Sequence, residues 1–245
     1  MAIFPVVNDK INLRINYTYL ILSGLFVALL IVCNLIANKF VLVDLSFLGF
    51  SEPFILSAGV LPYPLTFLIT DVLSEFYGKK RTNRVIITGL IASVIILGVL
   101  LLGSAFPSIE GSPVNDEEYN IVFKNSWRVI GASMIAYLFA QLVDVKLFHF
   151  WKGLTNGKHL WLRNNGSTIV SQLVDTILVV SVLFIGVKSF DEIQSMIFDG
   201  WLFKVLAALI DTPIFYLLVF LGRKYFKLSS DHTADLETDI IDKQM

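Results

Sequence analysis

Long apolar runs constrain this sequence more than any other feature. About 20 mostly apolar residues are needed to cross a bilayer as a helix, and these runs lack the alternation of a membrane β-strand. Charged residues make up only 16% of the chain, which excludes an ordinary soluble domain. The sequence therefore predicts an all-α integral membrane protein with six transmembrane helices. Their predicted spans are residues 17–43, 54–77, 85–106, 128–151, 168–187 and 201–221.

The distribution of charge predicts an orientation. Lysine and arginine cluster after the second, fourth and sixth spans, whereas the segment 107–126 is acidic. Because short cytoplasmic loops carry the excess of positive charge, both termini are expected in the cytoplasm and the acidic loop outside a bacterial inner membrane. The expected layout is a cytoplasmic segment 1–16, a six-helix domain 17–224 and an acidic, disordered tail 225–245.

Four predicted helices each carry an aspartate within the apolar run: Asp71, Asp144, Asp175 and Asp211. A carboxylate at the bilayer centre costs at least about 2.5 to 3.5 kcal/mol, so such residues usually mark a pathway or a binding site. Two alternatives stay open at this stage. A buried aspartate can belong to a purely structural ion pair, and a neighbouring amide can simply hold two helices together.

Helical spacing groups several of these polar residues. Asp71 and Glu75 are four residues apart, so their like charges repel unless one is protonated or a cation lies between them. Pro62 and Pro64 are expected to break the second helix in its middle, as in many secondary transporters. Two halves of three helices each would form an inverted repeat, in which the second and fifth helices correspond.

The sequence contains no recognisable catalytic or metal-binding motif. The three histidines and the single cysteine show no metal-ligand spacing, and no nucleophile elbow is present. We therefore expect no enzyme, no catalytic residues, no metal and no cofactor. A net charge of -1 does not favour a nucleic-acid partner.

Three stretches resemble a known family. They are NLIANK at 34–39, YPLTFLITDVLSEFYGKKRTNRVI from Tyr63, and AQLVDVKLFHFWK together with LWLRNNGSTIVSQLVDT. These segments are similar to the queuosine precursor transporters, also called the vitamin uptake transporter family. The resemblance implies a six-helix importer of 7-deazapurines such as 7-cyano- or 7-aminomethyl-7-deazaguanine. The alternative is a substrate-capture subunit that needs a separate ATP-driven module.

The resemblance also suggests roles for the polar residues, because a guanine-like ring offers donors to a carboxylate and an acceptor to an amide. The expected substrate contacts are Asn34, Tyr63, Phe67, Gln141, Asp144, Gln172, Asp175 and Asp211. The expected gate or coupling residues are Asp71, Glu75, Arg163, Asn164 and Asn165. Neither the driving ion nor the oligomeric state follows from the sequence.

Overall fold

The protein is a bundle of long helices with one small β-hairpin. The computed structural model describes residues 9–37, 39–44, 46, 53–124, 127–184, 186 and 188–227, so most of the predicted tail lies outside the described residues. The elements are α1 (Asp9–Leu35), β1 (Phe40–Val43), β2 (Phe54–Ser57), a 3₁₀ turn (Ala58–Val60), α2 (Tyr63–Gly103), α3 (Asp116–Tyr119), a π-helical turn (Asn120–Lys124), α4 (Trp127–Leu154), α5 (Leu160–Phe184) and α6 (Phe190–Phe226).

Five helices among the described residues are long and apolar enough to cross a membrane. An all-α, multi-pass membrane protein is therefore confirmed. Helix α2 is 41 residues long and contains a sharp break at Gly78, where φ is 73° and ψ is 175°. This backbone conformation is essentially restricted to glycine. The break divides α2 into a first arm (63–77) and a second arm (79–103).

Contacts with α1 give the directions of the two arms. Near the break, the Tyr77 hydroxyl donates to the carbonyl of Ile15, 2.8 Å away. At the start of α2, Gly59 packs against the backbone of Cys33, far along α1. The first arm therefore runs antiparallel to α1. Gly89 of the second arm packs against Phe26, so that arm turns back and runs parallel to α1.

One end of the bundle gathers the positive charge. Glu75, just before the Gly78 break, lies within 4 Å of the side-chain nitrogens of Lys152, Arg163 and Arg223. These contacts bring the end of α4, the start of α5 and the end of α6 to the place where α1 begins. We call this the cation-rich end. The hairpin β1–β2 follows the other end of α1 and pairs antiparallel, with Phe40 opposite Ser57.

The expected break at Pro62 and Pro64 is wrong. Pro62 immediately precedes the first residue of α2, and Pro64 lies in its first turn. Proline is well tolerated there, because the first amide hydrogens of a helix have no partner within the helix. The break falls instead at Gly78, inside the connection predicted between the second and third spans.

Several predicted boundaries also differ from the structure. The predicted first and second spans include residues 40–43 and 54–57, which form the two strands. A short apolar run has the same hydropathy in either conformation, so periodicity does not separate them. Helix α6 begins at Phe190 rather than at 201, because Ser189 and Glu192 form a capping box that starts the helix in a polar segment.

Replacing Gly78 with alanine tests the break. We expect Gly78→Ala to cost about 1–3 kcal/mol through backbone strain and to lower the melting temperature in detergent. Gly98→Ala in the second arm is the matched control, because a Cβ there meets no atom within 4 Å. Equal melting temperatures for the two variants would contradict the assigned break.

Candidate functional site

A narrow cavity of about 20 Å³ lies between the first arm of α2, α5 and α6. This volume holds about one water molecule, so the cavity must widen before a ligand the size of a purine can bind. It combines two carboxylates, two amides, an ammonium group and two aromatic rings within a membrane bundle. The lining residues are Tyr63, Pro64, Phe67, Leu68, Asp71, Asn164, Thr168, Gln172, Lys204, Ala208 and Asp211.

Helical spacing explains why each wall presents these side chains together. The first arm contributes Tyr63, Phe67 and Asp71, which are each four residues apart. Helix α5 contributes residues 164, 168 and 172 with the same spacing, and α6 contributes residues 204, 208 and 211. Residues three or four apart share one face of a helix, so each helix turns a single polar stripe toward the cavity.

Lys204 neutralises Asp175 at the edge of this cavity. The Lys204 Nζ is 2.6 Å from the Asp175 Oδ2 and 3.1 Å from the Thr176 hydroxyl. It also lies 5.0 Å from the centre of the Tyr63 ring. Lys204 lines the cavity and Asp175 does not, so the structure places Asp175 as the counter-ion of a cavity residue.

Asp71 and Asp144 form a second polar contact next to the cavity. Both side chains are buried, and they lie on facing surfaces of the first arm and α4, between the contact of Thr70 with Gln141 and the contact of Glu75 with Lys152. The Ser171 hydroxyl donates to the Asp144 Oδ1 at 2.9 Å. Asp71 faces the cavity, whereas Asp144 lies behind it, between α4 and α5.

Gln141 is engaged in contacts within the bundle. Its Oε1 accepts from the Thr70 hydroxyl at 3.1 Å, and its Nε2 donates to the Tyr137 hydroxyl at 2.7 Å. The side chain is fully buried and does not line the cavity. This arrangement favours the alternative in which Gln141 holds helices together. Gln172 differs, because it lines the cavity and its Oε1 has no hydrogen-bond partner among the described residues.

Glu75 is surrounded by three cations at the cation-rich end. Its Oε1 accepts from Arg163 at 2.7 Å and from Arg223 at 3.1 Å, and its Oε2 is 3.7 Å from the Lys152 Nζ. The expected repulsion between Glu75 and Asp71 is therefore relieved on the side of Glu75 by cations. The cluster ties together α2, α4, α5 and α6.

Two predicted residues lie elsewhere. Asn34 lines a different space of about 10 Å³, between α1, the second arm and α4. Asn165 donates to the Thr212 hydroxyl at 2.8 Å and to the Trp161 carbonyl, so it links α5 to α6. Its neighbour Asn164 does line the main cavity.

Sequence reasoning missed Lys204, which is the cation of the site. The rule that marked the aspartates applies equally to a lysine inside a predicted span, and Lys204 lies in the sixth span. The same rule would also select Lys146, which is exposed on α4 in the structure. The two lysines differ in that Lys204 has an acidic partner, Asp175, on a neighbouring helix, and this cannot be read from the sequence.

Long apolar helices around a polar cavity define a multi-pass membrane protein with a candidate ligand site. The family described as "Putative vitamin uptake transporter" matches residues 57–218, and the chain belongs to this family. The resemblance inferred from the sequence motifs is thus confirmed. The matched region contains every residue that lines the main cavity.

Relatives of the chain carry related names. "Probable queuosine precursor transporter" of Bacillus subtilis (strain 168) is 31% identical over 163 residues, which are 64% of this chain and 69% of the relative. "Queuosine precursor transporter" of Escherichia coli (strain K12) is 26% identical over 58% of this chain and 59% of its own length. For a Haemophilus influenzae relative, "Probable queuosine precursor transporter", identity is 28% and coverage 51% of each chain. The matches thus span little more than half of the last two relatives. No solved structure matches.

The buried ion pair of Lys204 and Asp175 can be tested with a double-mutant cycle. Removal of one partner from a buried ion pair costs about 3–5 kcal/mol, because the other charge is left without compensation. We expect Lys204→Met and Asp175→Asn each to lower the melting temperature in detergent. The double variant Lys204→Met/Asp175→Asn should recover part of the loss, since no buried charge remains.

Strictly additive losses in this double-mutant cycle would contradict the ion pair. Lys146→Met is the matched control, because Lys146 is exposed on α4. Its melting temperature should stay close to that of the unmodified protein.

Proposed function

We propose that this protein imports 7-deazapurine precursors of queuosine, such as 7-cyano- or 7-aminomethyl-7-deazaguanine, across the bacterial inner membrane. The observation that carries the proposal is the cavity between the first arm, α5 and α6 in a member of this family. The names of its relatives supply the cargo class.

The chemistry of the cavity matches a guanine-like ring. The carboxylate of Asp211 can accept from the N1–H and the exocyclic amine of such a ring, as a bidentate pair. Lys204 can donate to the ring oxygen, and Gln172 can meet a remaining polar edge. Tyr63 and Phe67, with ring centres 5.4 Å apart, offer aromatic faces for stacking. Asp71 completes the polar wall.

The proposed membrane topology has six crossings, because the two arms of α2 run in opposite directions beside α1. The hydrogen bond from Tyr77 to Ile15 and the contact of Gly89 with Phe26 support this count. With the cation-rich end in the cytoplasm, both termini face the cytoplasm, in keeping with the positive-inside rule. The first arm and α5 both line the cavity, and we propose that they are counterparts in an inverted repeat of three helices each.

Transport is proposed to occur by alternating access around the cavity. The Glu75 cluster would form the gate at the cytoplasmic end, where Arg163 and Arg223 connect α5 and α6 to the first arm. Three cations held by one carboxylate repel one another once that carboxylate is neutralised. The closed gate thus depends on the charge of Glu75.

Uptake and binding measurements test the cargo. In cells that lack deazaguanine synthesis, expression of the protein should restore queuosine in tRNA when 7-cyano-7-deazaguanine is supplied. Loss of one charge-assisted hydrogen bond is worth about 1.5–3 kcal/mol, so Asp211→Asn should weaken binding by the purified protein about 10- to 100-fold. Asp199→Asn, an exposed position on the same helix, is the control and should bind normally.

If the purified protein binds no deazapurine, the proposed function is wrong. Binding without uptake, in cells devoid of any ATP-driven partner module, would instead favour the substrate-capture subunit.

Neutralising Glu75 tests the gate. Thr168→Cys, in a Cys33→Ser background, places a thiol in the cavity, and a membrane-impermeant maleimide is added from the cytoplasmic side of inverted vesicles. With Glu75→Gln we expect labelling to become several-fold faster, because repulsion among Lys152, Arg163 and Arg223 opens that end. An unchanged labelling rate would argue against a gate at this cluster.

A further inference from the structure

Among the residues that the structure describes, no cation contacts the carboxyl groups of Asp71 and Asp144. Asp71 is 2% exposed and Asp144 is 0% exposed. Gln141, one turn before Asp144, contacts Thr70, and Lys152, two turns after it, contacts Glu75, so Asp144 lies on the face of α4 that packs against Asp71. One oxygen of each group, Asp71 Oδ1 and Asp144 Oδ2, has no hydrogen-bond partner among the residues that the structure describes. Two adjacent buried carboxylates do not both stay ionised without a cation between them.

Other buried carboxylates of the bundle have cations of their own. Glu75 is held by Arg163, Arg223 and Lys152, and Asp175 by Lys204. These cations are already engaged, since Arg163 also donates to the Gly157 carbonyl and Lys204 to the Thr176 hydroxyl.

The remaining charges around Asp71 do not replace a direct partner. Arg163 on α5 is near enough to act on Asp71 electrostatically, but its guanidinium binds Glu75 on the same helix as Asp71. Asp211 on α6 adds further negative charge beside Asp71. Asp144 on α4 is the group in direct contact. The two carboxyl groups therefore require a bound cation or a proton between them.

A proton suits this geometry better than a metal ion. A hard cation such as Ca²⁺ needs about six or more oxygen ligands, whereas a proton needs only two facing oxygens. Among the described residues, no group of three or more histidine, cysteine, aspartate or glutamate side chains could hold a metal. The Ser171 hydroxyl, 2.9 Å from the Asp144 Oδ1 and 3.1 Å from the Thr168 carbonyl, would add only one further oxygen.

We propose that one proton held between the Asp71 and Asp144 carboxyl groups is the ion that travels inward with each cargo molecule. This inference rests on the proposed function. A pair with one proton keeps one negative charge, so Asp71 can still accept an N–H of the ring from the cavity side. The proton and the cargo bind while the cavity is open outward, and both leave at the cation-rich end. No covalent bond changes in the cycle.

Asp144 is the informative position, because it touches Asp71 but does not line the cavity. Asparagine at position 144 can donate to the Asp71 carboxylate as a protonated partner would, but it releases no proton. Asp144→Asn should therefore exchange cargo across the membrane and fail to accumulate it against a gradient.

The experiment uses purified protein in liposomes without ATP, with the membrane potential clamped to zero. Under a pH gradient of about one unit, alkaline inside, one proton per neutral 7-cyano-7-deazaguanine gives at most about tenfold accumulation. We expect wild type to approach this ratio and Asp144→Asn to stay near equal concentrations inside and outside. Counterflow of labelled cargo should persist in Asp144→Asn. Asp199→Asn, at an exposed position, is the control and should accumulate cargo as wild type does.

A second measurement does not depend on the variant folding. A pH dye trapped inside wild-type liposomes should report acidification only when cargo is added outside. Absence of this signal, full accumulation by Asp144→Asn, or accumulation driven by a sodium gradient at equal pH would each overturn the proton pair. In all three cases wild-type counterflow would still support a deazapurine transporter, whereas its absence would overturn both proposals.

Discussion

The cost of placing a charge in hydrocarbon governs this structure. A buried carboxylate must be compensated by a cation, a proton or water, and the described carboxylates are compensated in different ways. Glu75 is held by three cations, and Asp175 is held by Lys204. Asp71 instead meets a second carboxyl group. Each solution joins at least two helices, so the positions of α2, α4, α5 and α6 depend on these pairings.

Close packing of glycines lets the charged groups reach one another. Helices in a membrane gain little from the hydrophobic effect and associate through small residues that let backbones approach. Gly222 of α6 packs against the ring of Phe76, and Gly89 of the second arm against Phe26 of α1. A Cβ at Gly222 would lie 2.5 Å from the Phe76 ring, so a larger residue there would push α6 away from the first arm and separate Arg223 from Glu75.

Much of the architecture can be predicted from the sequence, but less of the candidate site. Hydropathy located the long helices, and the connection predicted after residue 77 contains the break at Gly78. Helical spacing placed Asp71, Gln172 and Asp211 on faces that meet in one cavity. It did not assign partners, because pairing across helices depends on their rotation and depth. Lys204 was overlooked for this reason, and Asn34 was grouped with a cavity from which the structure separates it.

Helix α6 runs unbroken for 37 residues and carries both Lys204 of the cavity and Arg223 of the Glu75 cluster. These residues are 19 positions apart, a distance of about 28 Å along a helix. A rod of this kind acts as a lever. A rigid tilt of α6 that relaxes Lys204 against Asp175 would also displace Arg223 at the far end. In the proposed transport cycle, cargo recognition and opening of the far end would be linked mechanically through this one helix, without a relay of side chains.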